Sequence, residues 1–159
     1  MNSNISQLEL KKCLWADLVT DLRSRGAAKR ESGAFLLGRI EGATRQVDSW
    51  VPYDILDPAA LSNGYVRLGT QAFTALWARC ADLGKVVVAD VHTHPLGPRQ
   101  SQSDRANPMI AQAGHVAMII PNFAQGVVLP GSISVNIYHG AKKWSSYFGR
   151  DAELLVRLT

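Results

Sequence analysis

A chain of 159 residues, 47% hydrophobic and 19% charged, has the length of one domain with its own core and the composition of a globular protein, which excludes a disordered tail or a disulfide-stapled peptide. Its net charge of +4 is a mild bias: the densest basic stretch, Lys11, Lys12, Arg23, Arg25, Lys29 and Arg30, is interrupted by Asp17 and Asp21 and carries no recognised binding motif, so no nucleic-acid partner is expected. No run approaches ~20 apolar residues, Met1 to Gln7 lacks a signal-peptide core, and Cys13 and Cys80 form no C-x-x-C pair and read as buried small hydrophobes; a reducing, cytoplasmic setting off the membrane is the expectation.

In chain order, Leu10, Leu14, Leu18 and Leu22 recur every fourth residue, with Trp15 and Val19 widening the stripe, which predicts an amphipathic helix from about Gln7 to Ser24, ending near Gly26. Glu31-Ser-Gly-Ala-Phe-Leu-Leu-Gly38 is a short apolar run bounded by glycine and reads as a buried strand with Glu31 at its head. Arg39 to Gly42 carries it to a turn, Arg45 to Tyr53 returns as the hairpin partner, Asp54 to Asn63 is a loop, and Tyr65 to Leu68 a short strand. Thr70 caps a predicted helix with Phe73, Leu76, Trp77 and Cys80 on one face, closed at Gly84. Lys85 to Val91 is a buried strand that ends at His92 and His94. A loop to Gln100, a short helix over Ser101 to Ala113, and strands over His115 to Pro121, Gly126 to Leu129, Ser132 to Tyr138 and Trp144 to Phe148 follow, with Ala152 to Leu158 ambiguous. One α/β domain over residues 1–159 is the expectation.

The chemistry concentrates after the Lys85 strand. Side chains alternate along a strand, so His92 and His94 point the same way, and Asp104, ten residues after the second, can return as a third ligand. Two neutral imidazoles and a carboxylate suit zinc, and three protein ligands with a fourth position open describe a hydrolytic site rather than a structural one. Such an ion makes water acidic enough to supply hydroxide near neutral pH. Glu31 is the candidate to take the water's proton and hand it to a leaving amine. Ser101, on the loop before Asp104, is the candidate donor to an oxyanion, with helix capping as its alternative; Ser103 is a competing donor whose default reading is a helix cap. Asp90 shares the face of His92 and His94; it either supports a ligand from behind or is a helix-facing or edge carboxylate. His115 and His139 lack partners at metal spacing and read as structural or exposed; Trp15, Trp50, Trp77 and Trp144 read as packing residues, and Arg99 as a solvated loop charge.

Glu31-Ser-Gly-Ala-Phe-Leu-Leu-Gly38, His92-Thr-His-Pro95 and Ser101-Gln-Ser-Asp104 together resemble the JAMM/MPN metalloprotease family. The stretch from Arg105 to Pro121, with Asn-Pro-Met-Ile and Gly-His-Val-Ala-Met-Ile-Ile-Pro, is similar to a bacterial branch whose members accompany activating- and conjugating-enzyme homologues in phage-defence operons. The resemblance implies a mixed, mostly antiparallel curved sheet flanked by helices, of cytidine-deaminase-like type. It also implies a zinc-dependent isopeptidase that removes a ubiquitin-like protein from its conjugates or trims its precursor. Carried over, His92, His94 and Asp104 are the zinc ligands, Glu31 the acid/base and Ser101 the oxyanion donor. The interval from His94 to Ser101 is one residue shorter than the family's usual, a deletion that a loop containing Gly97 and Pro98 can absorb.

Asp54 to Asn63 and Pro121 to Gly131 are expected to flank the cleft, where a modifier tail could lie as an added strand. Two alternatives stand beside the isopeptidase: a noncatalytic scaffold of the same fold, and a zinc hydrolase of a small amide or peptide. A deaminase is disfavoured because His-x-Glu with Pro-Cys-x-x-Cys is missing. An amidohydrolase barrel is disfavoured because that fold takes ~250 residues.

Overall fold

The computed structural model describes residues 6–159, so most of the polar Met1–Gln7 segment lies outside the described residues. Gln7–Leu10 is a strand, β1, and not the start of a helix: Leu8 and Leu10 are buried and alternate with the more open Gln7 and Glu9. Helix α1, Lys12–Gly26, follows and buries Trp15, Leu18, Val19 and Leu22; Ala27 closes it in the left-handed region, its N–H bonded to the Arg23 carbonyl. Cys13 sits on its outer face, exposed, contrary to the expectation of burial, whereas Cys80 is buried.

Strands β2 (Gly33–Glu41) and β3 (Thr44–Pro52) form the predicted hairpin. After a single helical turn, α2 (Tyr53–Leu56), the chain makes irregular turns, and Tyr65–Leu68 runs outside the sheet rather than as a strand. Helix α3, Thr70–Leu83, is preceded by Gly69 with no side-chain cap, so Thr70 is its first residue and not its cap. It ends at Gly84, whose positive φ lets its N–H reach the carbonyls of Cys80 and Ala81. Its inner face is Ala72, Leu76 and Cys80; Trp77 is half exposed.

Strand β4, Val86–Thr93, leads to α4, Gln102–Ala106, much shorter than the helix expected to Ala113 because Pro108 cannot continue it. Strands β5 (Val116–Ile120), β6 (Ser134–Gly140) and β7 (Lys143–Tyr147) follow, and Gly126–Leu129 is not a strand. The ambiguous tail resolves into α5 (Gly149–Leu155) and β8 (Val156–Leu158).

The eight strands of the described residues join one mixed sheet in the order β7-β6-β5-β4-β2-β3-β1-β8. The pairs β4–β5, β1–β3 and β1–β8 are parallel and the other four antiparallel, a mixed, mostly antiparallel sheet as expected. Alternation along β2 feeds two cores. Ala34 and Leu36 pack with Leu18, Leu22, Met118 and Ala152 on the face covered by α1 and α5. Phe35 and Leu37 pack with Tyr53, Leu61, Leu76 and Cys80 on the face covered by α2 and α3. Val91 of β4 enters the first core, which turns its neighbours Asp90 and His92 toward the opposite face. Among the described residues no helix is long and apolar enough to cross a membrane.

Candidate metal centre

The end of β4 is held in three directions before any functional side chain is considered. Thr93 donates its N–H to the Ser32 carbonyl at 2.9 Å, and its Oγ1 accepts the Ser32 N–H at 2.9 Å. The Ser32 hydroxyl in turn donates to the Leu22 carbonyl of α1 at 2.7 Å. His94 donates its N–H to Ile120 of β5 at 2.9 Å, and its carbonyl accepts from Phe123 at 2.8 Å. This buried frame ties the segment carrying Glu31 to the strand carrying the histidines. Glu31 itself stands two residues ahead of β2 rather than within it, anchored by its N–H to the Gly64 carbonyl at 2.8 Å.

Side chains from three elements converge in front of that frame. His92 Nε2 and His94 Nε2 are 3.0 Å apart, His94 Nε2 is 3.0 Å from Asp104 Oδ2, and His92 Nε2 is 3.4 Å from Asp104 Oδ1. Glu31 Oε1 stands 3.9 Å from His94 Nε2, while its Oε2 accepts the Val66 N–H at 3.3 Å. Glu31, His92 and His94 each offer a ligand atom within 4.8 Å of one another, a cluster that could hold a metal ion. Asp104 closes a tighter set with the two histidines. Four ligands at ~2.0–2.1 Å from a tetrahedral ion are separated by about 3.3–3.4 Å, and the edges of the His92, His94 and Asp104 set, at 3.0, 3.0 and 3.4 Å, come close to that. Three acceptor atoms this near one another repel unless a cation or shared protons sit among them, so the donor set fits a metal.

The charges respond to this crowding. Burial works to raise the Asp104 carboxyl, but its hydrogen bonds to His92 and His94, the charge of His92 and the Ser101 N–H hold it far below the usual carboxylate range. Burial works to lower His94, yet the hydrogen bond and charge of Asp104, then the charge of Glu31 and the backbone of Gly97, keep it above the ordinary imidazole value. Burial pushes the Glu31 carboxyl up, tempered by His92, His94 and the Val66 N–H.

Ser101, not Ser103, caps α4. Its Oγ accepts the Asp104 N–H at 3.0 Å, and its own N–H donates to Asp104 Oδ2 at 2.8 Å, a reciprocal capping box. Accepting that bond leaves the hydroxyl proton free to donate elsewhere. Asp90, left open by sequence, supports neither histidine ligand: its Oδ2 is 2.7 Å from His115 Nε2, with both residues buried. His139 is exposed and bonds Ser145, and Arg99 is exposed over the Phe148 ring. Of the tryptophans, Trp15 is core, Trp50 and Trp144 are partly buried, and Trp77 is exposed.

A cavity of about 490 Å³ opens beside His92 and Asp104. Its walls come from Tyr65–Leu68, Phe73 and the stretch after α4, not from Asp54–Asn63 or Pro121–Gly131 as the sequence suggested. The Pro121 segment instead braces His94 through Phe123.

Two solved structures share the architecture. A protein from Desulfitobacterium hafniense, DSY2949, superposes with a TM-score of 0.68 at 18% identity, over 96% of this chain and 93% of that one. A protein from Salinibacter ruber superposes with a TM-score of 0.56 at 17% identity, over 94% of this chain and 90% of that one. Identities this low speak for the fold alone. The family model described as prokaryotic homologs of the JAB domain matches residues 14–130, a span that holds Glu31, both histidines, Ser101 and Asp104. On that match over most of its length, the chain belongs to the prokaryotic JAB-domain family.

Proposed function

We propose that the protein is a zinc-dependent isopeptidase or peptidase that releases a ubiquitin-like modifier from its conjugates or trims the modifier's precursor. The observation that carries this reading is the convergence of His92, His94 and Asp104 within 3.4 Å, with Glu31 3.9 Å from His94. His92, His94 and Asp104 hold the ion, whose chemistry when bound is to acidify water and polarise a carbonyl. Glu31 keeps one carboxylate oxygen on the Val66 N–H and aims the other at the site, so it can take a proton at Oε1 and return it to the leaving amine. Its burial raises its proton affinity, which suits a group that must both accept and give. The free proton of the Ser101 hydroxyl is the donor to the oxyanion. An extended modifier tail is the substrate that a cleft walled by Tyr65–Leu68 suits. Cytoplasmic activating- and conjugating-enzyme homologues are the natural company of such an enzyme.

The test is to incubate the zinc-loaded protein with an isopeptide conjugate of a ubiquitin-like protein encoded beside it. Cleavage is expected to stop on chelation. Glu31→Gln is expected to cut kcat by about a hundredfold or more while bound zinc is unchanged. Cleavage that survives either treatment contradicts the assignment.

A further inference from the structure

Beyond the ligands, the cavity beside His92 has an unusual balance of unmet groups. Asp90, only 2% exposed, lines it, and the hydrogen bond from His115 occupies Oδ2 alone. Gln100 also lines it, and its Oε1 is buried with no hydrogen-bond partner among the described residues. Both open positions are acceptors, so a wholly apolar occupant would leave them unmet and an anion would face the Asp90 carboxylate. Ser103 and Asn107 add further polar groups to the walls, and aromatic and aliphatic side chains supply most of the rest. Tyr65, Phe73 and Trp144 present ring surface, and the Trp144 indole is fixed by donating to the Arg105 carbonyl at 3.0 Å. The single basic residue in the lining, Arg67, is exposed and joins no ion pair among the described residues.

Aromatic faces attract a cation, an aliphatic stem packs against them, and a carboxylate receives the charged head. We propose that this cavity is a specificity pocket for a long aliphatic cation, the side chain of a lysine or arginine near the bond to be cut. The assignment of that cation to a polypeptide substrate rests on the proposed peptidase reading; the recognition chemistry does not.

The experiment titrates the zinc-loaded Glu31→Gln protein, which cannot turn over, with n-pentylamine, n-pentanol and pentanoate, following backbone amide shifts by NMR. Saturable shifts at Asp90, Phe73 and Trp144 are expected with the amine, at least about tenfold tighter than with the alcohol. Asp90→Asn should erase that preference, and Gln100→Met should weaken the amine severalfold with less risk to the fold. Equal binding of amine and alcohol, binding of pentanoate that stays tighter than that of the amine after the zinc is chelated, or amine binding indifferent to both variants overturns the pocket. A second arm compares peptide conjugates carrying lysine or norleucine next to the scissile bond. A preference of about tenfold in kcat/KM for lysine supports the pocket, and equal cleavage overturns it. Failure of all cleavage while the amine still binds would instead count against the peptidase reading alone.

Discussion

Asp104 serves two sets of neighbours, and this makes the protein's pH response informative. Its Oδ2 accepts the Ser101 N–H and lies 3.0 Å from His94 Nε2. Without metal, burial disfavours the protonated form of His94, but the hydrogen bond and charge of Asp104 outweigh it. His94 is held above its ordinary value, so the stability it contributes is complete below about pH 6.5 and fades as pH rises through the raised value. Asp104 is held far below its ordinary range, so its share is complete above about pH 4 and is lost only in strong acid. The metal-free protein is therefore expected to lose Tm between pH 6 and pH 8. A metal competes with the same protons, so the gain in Tm on adding zinc should grow over that interval. Thermal unfolding with and without zinc at both pH values decides it, and a constant gain would remove His94 from the ligand set. His92, His94 and Asp104 could be picked out in the sequence because strand alternation and a short return loop dictate who can meet whom. Glu31 could be picked out only through its place before the Gly33-Ala-Phe-Leu-Leu-Gly38 strand and the family resemblance that this stretch carries. The Asp90–His115 pair could not: the two become neighbours only because β4 and β5 run parallel with Asp90 opposite Ala117.

Helix α4 exists largely to orient one carboxylate. It has five residues, too few to persist without its cap, and the capping box from Ser101 fixes the direction of Asp104. Capping and oxyanion donation by Ser101 can be separated experimentally. Glycine is a tolerable cap costing only a few tenths of a kcal/mol, but it has no hydroxyl. Ser101→Gly is thus expected to keep zinc affinity within about twofold of the parent while kcat falls by about a hundredfold or more. A parallel loss of both would assign Ser101 to capping alone. Strand β2 carries a comparable constraint at Gly33, which pairs with His92 across the β2–β4 ladder. A Cβ there would run into the Tyr53 ring and come within 2.8 Å of the Val91 carbonyl oxygen. Gly33→Ala should destabilise the protein by ~1–3 kcal/mol in urea unfolding and, by pushing β2 off β4, weaken zinc binding too. Unchanged stability would mean that Tyr53 can yield.

Over the whole molecule, sequence periodicity revealed α1, the β2–β3 hairpin, α3 and the strand leading to the histidines, since each buries a continuous face of its own. Elements held by distant partners were the ones misread. The leucine spacing of α1 runs through Leu10 without a break, so nothing local separates it from the preceding strand, whose hydrogen bonds go to β3 and β8. Tyr65–Leu68 has strand-like residues but no ladder, because Val66 gives its N–H to Glu31. The pairing of β1 with β8 also reaches into the life of the molecule before it is finished. Thr159 gives its N–H to the Leu10 carbonyl, and Lys12 gives its own to the Thr159 carbonyl, both at 3.0 Å. During synthesis β1 leaves the ribosome long before β8, so one flank of β1 must wait, open to any passing strand, until β8 has followed it out.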